Sequence, residues 1–275
     1  MIDQRSRSRH LLVAFVLYCS ILTAGVLHAQ EVASAVASPA SDDPAQTVKA
    51  SVGERDVSLR RLPANFLSDQ KGLWLFPAKL AHGEHWLPTI AVVGVTAGLL
   101  AADPHDVSYF RRTTTFQGFN RVMSGRATML EIGLVPAAFY GIGLARKRPY
   151  TEKTALFAAE AFADSIVVYG VINAVTRRLR PSDIPPQGPF SDTFFRNKTV
   201  FSNSFPSGHA IEAFAVATVI ARRYKSHRWV PWVAYGVAGA VGFSRITLQS
   251  HFPADVFLGA ALGYSISRFD VLHGH

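Results

Sequence analysis

"SFPSGHAIEAFAVATVIARRY", residues 204–224, begins with Pro206, Ser207, Gly208 and His209 and then runs on in small and apolar residues at helical spacing. That pattern predicts a helix over 207–223. The first backbone N–H groups of such a helix have no partner inside it, so its mouth attracts anions. His209 sits in the first turn and places a proton donor beside whatever anion binds there. Working outward, further apolar segments rich in Ala, Leu and Gly predict helices over 86–102, 128–145, 154–176, 229–246 and 254–269. Each is long for a strand, and neither strand alternation nor a fixed-period repeat interrupts them. The expected fold class is therefore all-α, a six-helix bundle.

Composition narrows the setting of that bundle. The chain has 275 residues, 49% apolar and only 17% charged, with a mean hydropathy of +0.17. It is oilier than a typical soluble enzyme and milder than a tightly packed transporter. Several predicted helices fall short of the roughly 20 residues that cross a bilayer. Glu131, Glu160, Asp164 and Glu212 also interrupt them, so a membrane-embedded or membrane-associated bundle and a soluble periplasmic one both remain open. The 28 Lys and Arg outnumber 19 Asp and Glu, but they are spread over loops and helix ends without forming a stripe. This speaks against a nucleic-acid partner and fits membrane-flanking charges or an anionic substrate.

Arg5, Arg7 and Arg9 precede "LLVAFVLYCSILTAGVL", with Ala29 as a cleavage edge. Residues 1–29 thus read as a signal peptide or an N-terminal anchor, which sends the chain to the cell envelope. Cys19, the one cysteine, lies inside that run; its removal leaves no thiol for disulfides, nucleophilic catalysis or thiolate metal sites. Residues 30–85 read as a linker and pre-domain segment of low order, and 86–270 as the helical catalytic domain. "RKRPYTEK" at 146–153 and "RRYKSHR" at 222–228 are the most basic connections and belong on the cytoplasmic side of a spanning chain. That puts 177–206 and 247–253 on the outer, periplasmic side. A cleaved signal would also leave 30–85 outside, so either 86–102 does not cross or the whole bundle is periplasmic.

Three stretches carry the chemistry. "NAVTRRLRPSD", 173–183, ends a helix in Arg177, Arg178 and Arg180, and Pro181 stops it. "PSGH" occupies 206–209, and "SRITLQSHFPADV" occupies 244–256. Asp255 follows His251 by four residues; if both lie on one helix, the carboxylate can accept a ring N–H and leave the other ring nitrogen as base or nucleophile. Arg180 and Arg245 supply planar forks suited to phosphate oxygens. The predicted helix order brings all three stretches to one end of the bundle.

Arg180-Pro181, then Pro206-Ser207-Gly208-His209, then Ser244-Arg245 with His251 and Asp255, closely resemble the motifs of the type 2 phosphatidic acid phosphatase (PAP2) and vanadium haloperoxidase superfamily. The resemblance implies metal-free phosphoryl transfer with no cofactor. His251 would attack phosphorus, Asp255 would orient it, and His209 would protonate the leaving oxygen and later activate water. Arg180, Ser207, Gly208 and Arg245 would hold the phosphate. The family's first motif usually begins with Lys seven residues before its Arg-Pro pair, where this chain has Asn173. Asn173 can still donate a hydrogen bond, and Arg177, near Arg180, is the candidate to supply the missing charge. Arg148-Pro149 lacks the corresponding Lys and falls at the other end of the bundle.

The implied substrate is a phosphorylated lipid and the implied setting the inner membrane, with the site facing the periplasm. A secreted broad-specificity acid phosphatase, a haloperoxidase holding vanadate at His251 and a non-catalytic phospholipid binder are the alternatives. "HGEH", 82–85, reads as structural rather than metal-binding. Phe190, Phe194, Phe195, Phe201 and Phe205 read either as local packing or as an apolar wall for a lipid tail.

Overall fold

The computed structural model describes residues 55–123, 128–185, 188, 190, 192–199 and 202–272. Residues 1–29, read as a signal or anchor, lie outside this set, as does Phe201. Among the described residues every regular element is helical, as the absence of strand alternation requires. In chain order these are α1 (Leu62–Trp74), α2 (Phe76–Ala81), α3 (Trp86–Arg112), α4 (Gln117–Met123), α5 (Thr128–Ala145), α6 (Pro149–Thr176), α7 (Gly208–Arg223), α8 (Trp229–Thr247) and α9 (Pro253–Ser265). A 3₁₀ turn, Pro181–Asp183, follows α6, and a π-helical turn, Ile266–Val271, extends α9.

α7 is the axis of the bundle. It is buried nearly throughout and packs against α5, α6, α8 and α9. Small residues allow the closest of these contacts. A Cβ on Gly263 would stand 2.1 Å from the Ile211 carbonyl oxygen, and one on Gly259 would stand 2.7 Å from that of Ser207. α9 therefore lies almost backbone to backbone on the first turns of α7, which fixes where "PSGH" sits.

α3 starts near Phe269, beyond the far end of α9, where His85 packs on that ring at 5.6 Å. It finishes at the opposite end, where Arg111 donates to the carbonyl oxygens of Pro181 and Ile184. α6 and α8 rise toward that same end and α7 and α9 descend from it. The basic connections meet at the other end, where the Arg223 guanidinium lies 4.3 Å above the Tyr150 ring and Tyr150 meets Tyr224 edge-on. Arg148-Pro149 opens α6 there, well away from Arg180.

Three helices, Trp86–Arg112, Thr128–Ala145 and the stretch Pro149–Asp183, are long and apolar enough to cross a membrane. Their outward faces agree with that: Leu87, Ile90, Val93, Leu130, Leu134 and Val175 are exposed. A surface of this kind is stable against acyl chains and costly against water.

The segment 55–85 is more ordered than its composition suggests. α1 is a mixed polar helix, and its polar side chains cover carboxyl groups that α6 would otherwise bury alone. Asn65 donates to Glu160 at 2.8 Å, Gln70 donates to Asp164 at 2.8 Å, and Arg55 donates to Asp69 at 2.7 Å. α4, a helix of about two turns with no apolar run of its own, is likewise set by its tertiary contacts. In both places tertiary hydrogen bonds override weak local periodicity.

Candidate active site

All three sequence stretches converge at the end where α6, α8 and α3 finish and α7 and α9 begin. His251 belongs to the turn before α9, which starts at Pro253. Its Nδ1 donates to the Ser204 carbonyl oxygen at 2.6 Å. A carbonyl only accepts, so the proton is fixed on Nδ1 and the lone pair on Nε2. His251 is 4% exposed, so this tautomer is held in a dry environment.

The sequence expectation that Asp255 accepts the ring N–H is replaced by this arrangement. Because His251 lies outside the helix, its ring reaches the Ser204 carbonyl first and the Asp255 carboxylate stands 3.8 Å from Nδ1. Asp255 instead ties the surrounding segments together. Its Oδ2 accepts from the Phe252 N–H at 2.8 Å and from the Ser204 hydroxyl, and its backbone oxygen accepts from Ser207 N at 3.0 Å. The turn bearing His251 and the turn bearing "PSGH" are thus bonded directly.

His209 occupies the first turn of α7. Burial pushes its proton affinity down to about 3, and the charges of Arg245, His251 and Arg180 act in the same direction. The two arginines and the second histidine thus lie within electrostatic reach of this imidazole, which is neutral at neutral pH. Arg245 is oriented by Nε donating to Ser244 Oγ at 2.9 Å and by Nη2 donating to the Met123 carbonyl oxygen at 2.6 Å. The buried Nε of Arg180 and Oγ of Ser207 have no hydrogen-bond partner among the described residues. Gly208 packs against the Tyr169 ring, where an added Cβ would come within 3.1 Å. A neutral base, two guanidinium groups, an unused hydroxyl and a helix mouth form the donor set of an oxyanion site.

Two other sequence candidates lie differently. Both hydrogens of the Asn173 amide are donated, to the carbonyl oxygens of Asn203 at 3.0 Å and Phe205 at 3.3 Å, and its Oδ1 accepts from Asn203 N. Asn173 therefore clamps the strand of loop that leads into "PSGH" and has no N–H left for a phosphate. Arg177 is the left-handed residue that ends α6, at φ 42°, and its backbone carbonyl accepts from Asn197 N at 3.0 Å.

The arginine between them does more than its position in the run advertises. Arg178, 2% exposed, donates from Nη1 to Asp255 at 2.5 Å, from Nη2 to Asp103 at 2.7 Å and from Nε to Thr193 Oγ1 at 3.0 Å. Its guanidinium stacks between Phe252, 3.9 Å away, and Phe194, 4.8 Å away. Phe194 also meets Phe205 edge-on, and Phe190 packs beneath Arg111. Of the phenylalanines considered as a lipid-facing wall, these three are packing partners of the loop, and Phe195 is the exposed one. Asp103 had no signal of its own in the sequence, since it follows the apolar run 86–102 and precedes the polar residues His105 and Asp106. "HGEH" forms the turn into α3, and His85 stacks on Phe76.

The sequence that builds this site is similar to known proteins. A family model described as PAP2 superfamily matches residues 154–271. This part of the chain is similar to a PAP2 domain. It includes Asn173, Arg178, Arg180, His209, Arg245, His251 and Asp255 and excludes α3. Stretches of 82 and 86 residues are 40% and 34% identical to proteins named lipid A 1-phosphatase from Porphyromonas gingivalis and Rhizobium etli. A stretch of 84 residues is 40% identical to the bacitracin transport permease protein BcrC of Bacillus licheniformis. Each match takes in about 30% of this chain, and the chain spans only 18%, 35% and 40% of those three proteins in the order named. A solved structure, the transmembrane PAP2-type phosphatidylglycerolphosphate phosphatase from Bacillus subtilis, superposes with a TM-score of 0.42 at 24% identity. That superposition covers 74% of this chain and 94% of the other.

Proposed function

We propose that the PAP2-like domain is a phosphatase that hydrolyses a lipid phosphate or pyrophosphate monoester through a phosphohistidine at His251, without a metal ion. The observation that carries this reading is the pairing of His251, locked as its Nδ1–H tautomer by Ser204, with a neutral His209 amid Arg180 and Arg245. The Nε2 lone pair attacks phosphorus, and an N–P bond forms as the P–O bond to the leaving group breaks. His209 gives its proton to the departing oxygen. Water then attacks phosphorus while His209 takes its proton, the N–P bond breaks and inorganic phosphate leaves. Such a transfer needs mainly positioning and neutralisation of the equatorial oxygens, the work assigned here to Arg180, Arg245, Ser207 and the α7 mouth.

His209 needs a proton for the first step, although burial and cationic neighbours keep the resting ring neutral. An arriving phosphate dianion reverses the sign of that environment and raises its proton affinity. Substrate binding and proton uptake are therefore coupled in this scheme.

The membrane-length helices and the names of the relatives favour a lipid over a soluble ester. The basic connections at the far end favour a cytoplasmic location there and a periplasmic site. The test is phosphate release from lipid and water-soluble phosphoesters side by side, in EDTA, by the wild-type protein and His251→Ala. Preferential release from lipid that survives EDTA and vanishes in the variant is expected. Release of phosphate equally well by His251→Ala, or none from any lipid phosphate, overturns the reading.

A further inference from the structure

We propose that Asp103 and Arg178 are positioning residues for His251, so that α3, which lies outside the matched domain, is part of the catalytic unit. The inference rests on the phosphatase reading for its kinetic consequences and on geometry alone for its structural ones.

Asp103 is completely buried in α3, 151 residues before the backbone amide of Ala254 that donates to its Oδ1 at 3.3 Å. Its Oδ2 accepts from Arg178, and Arg178 in turn donates to Asp255. The Arg178 backbone carbonyl accepts from Ser204 N at 2.8 Å, and Ser204 presents the carbonyl that holds the His251 ring. One guanidinium thus sits between two carboxylates and supports both walls of the His251 seat, the turn before α9 and the loop before α7. A buried arginine costs several kcal/mol in desolvation and is stable only when its donors are matched. Each nitrogen of Arg178 has a partner. Of these three side-chain partners Asp103 is the one from outside the matched region, and it anchors the assembly to a helix that runs the length of the bundle.

The arrangement makes a prediction that simple packing does not. The charged and titratable groups facing the seat are Asp255, Asp103 and Arg178 behind it, and His209, Arg180 and Arg245 in front of it. Asp103→Asn removes a negative charge from behind the imidazole, and Arg178→Gln removes a positive one. Either change loosens the Ser204 carbonyl and the Asp255 carboxylate that seat the His251 ring, so both are read at its Nδ1–H.

Both variants and the wild-type full chain, selectively labelled at histidine, are compared by NMR in detergent or nanodiscs without substrate. The Nδ1–H signal of His251 is expected to exchange with solvent faster in both variants than in the wild-type protein. Where Arg178→Gln does not fold, the isosteric Asp103→Asn carries the test. In turnover, Asp103→Asn is expected to lower kcat by about 10- to 100-fold with KM within twofold, and Asp103→Glu to recover part of the loss. An Asp103→Asn protein with a lower melting temperature but wild-type Nδ1–H exchange at His251 and wild-type kcat overturns the inference. A wild-type protein that releases no phosphate overturns the phosphatase reading instead and leaves the NMR comparison to decide this one.

Discussion

Two buried clusters of charge hold this bundle together, and they are built to different standards. At the site end, Arg178 lies between Asp103 and Asp255 with each of its nitrogens bonded and two phenylalanine rings against its faces. Lower down, Glu160 and Asp164 on α6 are each met by a single amide from α1, and one oxygen of each carboxyl has no hydrogen-bond partner among the described residues. A fully matched network fixes one geometry, whereas a half-matched one joins two helices at lower cost to order. The contrast places precision where a phosphoryl group would be handled and tolerance where a peripheral helix docks.

Breaking each cluster measures that difference. Arg178→Met leaves two buried carboxylates without their cation and is expected to destabilise by about 3–5 kcal/mol, read as a shift in denaturation midpoint, with loss of phosphate release. Asn65→Ala with Gln70→Ala removes the amides at the other cluster and is expected to cost about 1–3 kcal/mol for each group left unpaired, with kcat unchanged. Should the double variant abolish turnover while folded, α1 is more than a cover. Neutralising the half-matched carboxyls by Glu160→Gln and Asp164→Asn is expected to change stability by less than about 1 kcal/mol, because their partners persist. A large loss there would show that the two clusters are equally exacting.

A further expected effect concerns pH and distinguishes His209 from both clusters. Folding lowers its proton affinity from 6.5 to about 3. Between those values the unfolded chain binds a proton that the folded chain does not, so the contribution of the neutral ring is complete above pH 6.5 and is lost as pH falls toward 3. His209→Gln is expected to flatten this part of the stability profile in the absence of phosphate. Added inorganic phosphate should raise the His209 midpoint in the wild-type protein by NMR titration; a midpoint that stays put removes the proposed coupling of binding to proton uptake.

Much of this was legible in the chain because apolar period and punctuation are local. The six long helices follow Ala- and Leu-rich runs closed by Pro, Arg or polar turns, and α6 to α9 agree with expectation to within a few residues. His209, Arg180, Arg245 and His251 were accessible because residue types and spacings specify them. What stayed hidden depends on contacts between distant segments. Nothing local distinguishes Arg178 from Arg177, whose backbone turns left-handed at the end of α6. Asp103 acquires its role only when α3 is laid beside the loop after α6. α1 reads as a polar linker until the carboxyls it covers are known, and Asn173 reads as a weakened phosphate ligand until its amide is seen to be fully engaged by the loop it clamps.

The central claim is that His251 carries the phosphoryl group. Rapid quenching of turnover at alkaline pH, followed by peptide mass spectrometry, tests it directly. A phosphoryl group on the peptide bearing His251, absent from His251→Ala and accumulating in a His209 variant whose second step is slowed, is the predicted result. Turnover with no phosphorylated histidine, or with the label on another residue, would contradict it.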